Sequence, residues 1–145
     1  MGLSVTVVAP APGDDVWARL ADIPRWPDWN PACVEAEIEG PLAPGTRVGL
    51  HLLHPRGTRF WTRPVLTDVE PRRTLAWTTR AVGLRAATAI RLEPADDGTL
   101  VTLESQARGA LSFNYRLALP ETTLAQIWSG ALTGLARSFR EEAGE

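Results

Sequence analysis

The segment ETTLAQIWSGALTGLARSFREEAGE, beyond Pro120, constrains the fold more than any other stretch of the chain. Leu124, Trp128, Ala131, Leu135 and Phe139 recur at helical spacing, and Glu121 stands in the opening turn, where the helix dipole favours an acid. The spacing predicts one long amphipathic helix. Its apolar stripe must be buried, and the only large apolar surface that the rest of the chain offers is one face of a sheet.

That sheet is legible as a series of alternating runs. Residues 3 to 9 (LSVTVVA) are rich in β-branched side chains and read as a first strand. PGDDVWARLADI then predicts a short helix with Val16, Trp17 and Leu20 on one face, and IPRWPDWNP a proline-limited corner that presents Trp26 and Trp29 to the core. From Ala32 onward Val34, Ala36 and Ile38 alternate with Glu35, Glu37 and Glu39, the pattern of a half-buried strand.

Val48, Leu50 and Leu52 continue the alternation, and His54-Pro55-Arg56-Gly57-Thr58 predicts a tight hairpin. A three-residue loop there sets Leu52 opposite Phe60 and Leu50 opposite Thr62 on the inner face, with Trp61 and Arg63 outward. Three further strand-like runs follow, with inward sets Leu75, Trp77, Thr79; Ala86, Thr88, Ile90, Leu92; and Val101, Leu103, Ser105, Ala107. Their opposite faces are polar, as expected of an antiparallel sheet wet on one side.

Charge and residue usage narrow the chemistry. The 15 basic and 17 acidic residues are scattered and leave a formal charge of -2, so no basic block is present to neutralise a phosphate backbone, and nucleic acid is not an expected partner. Every basic residue is arginine, which removes lysine nucleophiles and Schiff bases. Cys33 is the only cysteine, no signal-peptide pattern opens the chain, and no run approaches the roughly 20 apolar residues of a membrane span. A cytoplasmic, soluble protein without membrane insertion, monomeric or homodimeric, is the expectation.

Familiar catalytic signatures are missing. GPLAPGTR has Thr46 and Arg47 where a phosphate loop needs Lys and Ser or Thr, and neither a dinucleotide fingerprint nor a nucleophile elbow occurs. His51 and His54 are three apart on a strand, hence on opposite faces, and no cysteine or acid cluster completes a shell, so neither metal nor other cofactor is expected.

The element order, the DIPRWPDWNP corner, the DVEPRRTLAW and IRLEPADDGTLVTLE turns and the closing helix resemble the START-related polyketide cyclase and pollen-allergen superfamily over nearly the whole chain. The resemblance implies a single domain over residues 1–145 with an α+β, helix-grip fold. Such a fold is a curved seven-stranded antiparallel sheet wrapped around a long C-terminal helix, with two short helices between strands one and two. It also implies a cavity between sheet and helix that accepts apolar molecules such as lipids or aromatic polyketides.

On that frame, small inward residues such as Ala36, Ala86, Thr88 and Ser105 leave volume beneath the helix. The expected ligand-binding set is Leu50, His54, Phe60, Thr62, Trp77, Thr79, Thr88, Ser105, Tyr115, Leu124 and Trp128, an apolar wall with a few polar groups. A hydrophobic small-molecule binder is the first reading. A polyketide cyclase or aromatase, with His54 and Tyr115 guiding aldol closure by positioning, is the second. A protein-interaction module anchored on outward Trp61 is the third.

Overall fold

The computed structural model describes residues 2–54, 57–81, 84–108 and 121–143. Eight strands form two antiparallel sheets. β1 (Gly2–Ala9), β8 (Gly98–Arg108), β7 (Leu84–Ala95), β6 (Thr74–Ala81) and β5 (Val65–Glu70) lie side by side in that order. β2 (Cys33–Ile38), β3 (Val48–Leu53) and β4 (Arg59–Thr62) make the second sheet. Between β1 and β2 come α1 (Gly13–Ala21) and a 3-10 helix (Ile23–Asp28), and α2 (Glu121–Ala143) closes the order.

The architecture is the α+β helix-grip arrangement, with one strand more than the expected seven. The additional strand arises at Pro64, which has no backbone N–H for a ladder and divides one long run into β4 and β5. The two sheets meet at this break. Val48 donates its backbone N–H to the Pro64 carbonyl at 2.8 Å, Leu66 donates to Thr46 at 2.8 Å, and Arg47 bridges Val65.

Register follows the alternation. Leu50 faces Thr62 and Leu52 faces Phe60, and the hairpin closes with His54 N–H donating to the Thr58 carbonyl at 2.7 Å. Gly57, at φ 97°, supplies the left-handed position this turn requires. One strand departs from expectation: a register shift between Cys33 and Glu35 turns Val34 outward, 37% exposed, and buries Cys33 in its place. A bulge reverses the face of the residue it displaces. Thr78, expected on the wet face, is buried between its register partners Val65 and Ala87.

The helix lies over the inner face. Trp128, Ala131, Leu132, Leu135 and Phe139 join Leu75, Trp77, Ile90, Leu92, Val101 and Leu103 in one buried cluster, completed by Val16, Leu20 and Ile23 from the short helices. Close seating is written into Gly134, where a Cβ would collide with the carbonyl oxygen of Trp29 in the corner. The corner is held further by Trp26, whose indole N–H donates to the Leu20 carbonyl at 2.9 Å.

Candidate functional site

Cross-strand pairing arranges the inner face of the larger sheet in rows. Val69, Leu75, Ile90, Leu103 and Val5 form one row; Leu66, Trp77, Thr88, Ser105 and Leu3 form the next. Beyond it, toward the end of β6, stand Thr79 and Ala86. In the first row Leu75 and Leu103 are 0% exposed and Ile90 2%, while Val69 and Val5, on the edge strands, are half-buried. In the second row Trp77 and Thr88 are buried but Ser105 is half-buried, and Thr79 and Ala86 are half-buried as well. These positions are the less completely buried part of the inner face.

The boundary between the fully and the less completely buried parts is a chain of tryptophans. Trp29 to Trp26, Trp26 to Trp77 and Trp77 to Trp128 have ring centroids 5.6, 5.8 and 5.8 Å apart, each pair tilted by 50 to 57°. Tilted pairs at this spacing suit the ring quadrupole and make a rigid apolar wall. Just above it, the Thr88 and Ser105 hydroxyls are hydrogen-bonded at 3.0 Å.

The second sheet supplies a flank. Leu50 is buried; Phe60 and Thr62, on β4, are half-buried. His54 is half-buried at the hairpin end. Of the expected set, then, Trp77, Thr79, Thr88, Ser105 and Trp128 gather at one end of the inner face, with Leu50, Phe60 and Thr62 on a second wall. Tyr115 lies outside the described residues. Leu124 lies on α2, but its side chain is also outside them.

Sequence reasoning missed two contributors. Trp26, assigned to core alone, touches Trp77 directly. Cys33 faces inward opposite Leu52, its thiol donating to the Glu35 carbonyl at 3.4 Å. Burial pushes that thiol up to about 11, against a smaller opposing effect of the Glu35 hydrogen bond. The thiol is therefore an inert hydrophobe at neutral pH rather than a nucleophile.

Two other surfaces are built differently. A cleft of about 610 Å³ between α1, the 3-10 helix and the far part of α2 is lined by Asp15, Arg19, Asp22, Arg25, Asp28 and Glu142 among others. Its charges are largely spent on each other, with Arg19 paired to Glu142 and Arg25 to Asp28 at 2.9 Å. On the outer face Trp61 is 41% exposed, but its ring is stacked on His51 at 4.6 Å and 4°, and Arg63 lies 5.3 Å from its centre. A ring so engaged is a poor anchor for another protein. Among the described residues no group of three metal-ligating side chains occurs, and no helix is long and apolar enough to cross a membrane.

The chain matches the model of a family described as polyketide cyclase / dehydrase and lipid transport over residues 2–142. No curated protein matches it in sequence. Among solved structures, a protein of Nitrosomonas europaea aligns with a TM-score of 0.76 at 19% identity, over 100% of this chain and 97% of that one. The di-domain ARO/CYC StfQ from the steffimycin biosynthetic pathway aligns with 0.76 at 18%, over 99% of this chain but only 52% of its own length. Ara h 8.0201 aligns with 0.71 at 16%, over 97% and 98%. At such identities these likenesses concern the fold.

Proposed function

Because the chain belongs to the polyketide cyclase / dehydrase and lipid transport family, we propose that it binds a small, uncharged hydrophobic molecule between the inner face of the larger sheet and α2. The guest lies against Trp77 and Trp128, in the space bounded by Thr79, Ala86 and Ser105. One observation carries this reading: consecutive inward positions on β8 are treated oppositely, Leu103 sealed and Ser105 half-buried, although both belong to the same face of one strand. A core that only had to be stable would fill both. Pockets that are mainly apolar with a few placed polar groups are the usual form of a small-molecule site.

A second reading, an aromatase or cyclase, draws support from the family description and from the likeness to StfQ. In it the same walls fold a reactive chain, and catalysis comes from positioning rather than from strong acids or bases, since the inner face between Trp77 and Ser105 carries hydroxyls and no carboxylate.

Native mass spectrometry of freshly purified protein, followed by denaturing extraction, tests the binding reading. A stoichiometric apolar compound that leaves with wild type and is absent from Trp128→Ala supports it. An empty protein whose tryptophan fluorescence is unmoved by a broad apolar panel overturns it. Turnover of a bound poly-ketone by the loaded protein would convert binder into cyclase.

A further inference from the structure

The Thr88–Ser105 pair is an accounting problem in hydrogen bonds. Each hydroxyl carries one hydrogen and can accept two bonds. Within the pair, one hydrogen is used at 3.0 Å and the other has no acceptor among the described residues. Thr88 is 6% exposed and Ser105 half-buried. If Ser105 donated to Thr88, the spare hydrogen would sit on the buried threonine, where leaving it unbonded is costly. The opposite orientation, Thr88 donating to Ser105 Oγ, turns the spare hydrogen of Ser105 toward the accessible space.

On this reading of the space as a ligand site, we infer that the Thr88–Ser105 pair is a donor subsite that selects guests bearing a neutral hydrogen-bond-accepting oxygen. That oxygen belongs to a ketone, ester or ether held at Ser105, two strands across from Trp77. Three features support the choice. Trp77, Thr88 and Ser105 are consecutive in one cross-strand row, so the handle is fixed relative to the aromatic wall. Thr88 holds the Ser105 hydroxyl by a bond between two sheet positions, which orients the donor before binding. No charged side chain occupies that row, which runs Leu66, Trp77, Thr88, Ser105 and Leu3, so nothing there compensates a buried carboxylate or ammonium on the guest.

A matched pair of probes separates the subsite from the cavity. 1-Tetralone and tetralin share shape and ring, and differ in one carbonyl oxygen. Because a carbonyl loses water on burial, an undifferentiated apolar cavity binds tetralin more tightly. With the donor in place the order reverses, and wild type should bind tetralone about five- to tenfold more tightly than tetralin, read by tryptophan quenching or calorimetry.

The double variant Thr88→Val/Ser105→Ala removes both partners together, leaves no orphaned group and should fold as wild type does. In it the order should invert, tetralone binding more weakly than tetralin. Tetralin tighter in both proteins, with no change in the ratio, overturns the subsite and leaves the cavity standing. Failure of both probes to bind wild type at millimolar concentration overturns the cavity reading and the subsite with it.

Discussion

Leu103 and Ser105 are two residues apart on one strand and point the same way, yet they are buried to different degrees. At Leu103 the row runs Val69, Leu75, Ile90, Leu103, Val5, and its three central residues join the leucines and phenylalanine of α2 in one buried cluster. At Ser105 the row runs Leu66, Trp77, Thr88, Ser105, Leu3, and its neighbours Thr79 and Ala86 remain reachable. A sheet gripping a helix thus divides its labour along the strand direction. One end supplies the apolar burial that holds the domain together, and the other withholds side-chain volume.

The division is broken or sharpened most strongly by truncation. Leu103→Ala should cost about 3 kcal/mol of stability, within the range for a sealed leucine, while the double variant Thr88→Val/Ser105→Ala, which orphans no hydroxyl, should cost less than about 1 kcal/mol. Urea unfolding of both variants checks this. Similar losses at the two positions would mean that the end around Ser105 is packed core and that no space was withheld.

Filling gives the reciprocal test. Val101→Phe, at a position 0% exposed, should destabilise by about 1–3 kcal/mol through overpacking, whereas Ala86→Phe should leave the unfolding midpoint within about 1 kcal/mol of wild type and abolish binding of apolar probes. Thermal unfolding and tryptophan quenching read the two effects separately. A large loss of stability from Ala86→Phe would place Ala86 with the sealed rows.

A comparable, somewhat smaller effect is expected at the joint between helix and corner. Gly134→Ala sets a methyl group against the Trp29 carbonyl, a backbone atom that cannot rotate away, and α2 must shift outward. The expected cost is about 1–2 kcal/mol, and because Trp128 shares the helix, the Trp77–Trp128 contact should loosen as well. A red shift of tryptophan emission in the folded variant would report this. Unchanged emission would uncouple the corner from the tryptophan wall.

These two ends differ in how openly the chain declares them. Periodicity in the sequence assigns the central inward residues of β6, β7 and β8, though not the buried Thr99, and it fixes the hairpin register that sets Thr62 beside Leu50, because a one-residue slip would expose a whole hydrophobic set. It does not tell how deeply each inward position is buried, since that depends on what packs against it from other elements. Val34 was assigned inward by the same alternation and faces outward, because a bulge leaves no mark in hydropathy when both candidates, Cys33 and Val34, are apolar. Trp26 read as core from its proline-bound corner, and only the fold brings it against Trp77 from the other end of the chain order. The division of one proline-containing run into β4 and β5 was not anticipated, and the structure traces it to Pro64, a residue with no N–H for a ladder.

Cys33 measures how far the accessible end extends across the second sheet. It lies opposite Leu52, which in turn lies opposite the half-buried Phe60, so it is the next residue that an extended cavity would reach. Burial holds its thiol near 11 rather than at the ordinary 9.0, and at pH 8 this leaves roughly a hundredfold less thiolate than in an unhindered cysteine. Alkylation by iodoacetamide should accordingly be at least about a hundredfold slower than for a free thiol. It should climb close to tenfold per pH unit until the fold's own pKa is reached.

The sign for stability is fixed by the same shift. Because the folded pKa is the higher one, the neutral thiol's contribution is complete below about pH 9 and is lost as the pH rises toward about 11; comparison with Cys33→Ala isolates it. A reaction rate that instead levels off near pH 9 would mean that the thiol is hydrated. The accessible end would then run past Phe60 and Leu52 to the bulge of β2, and the boundary between the two interiors would lie on the second sheet rather than at the tryptophan row.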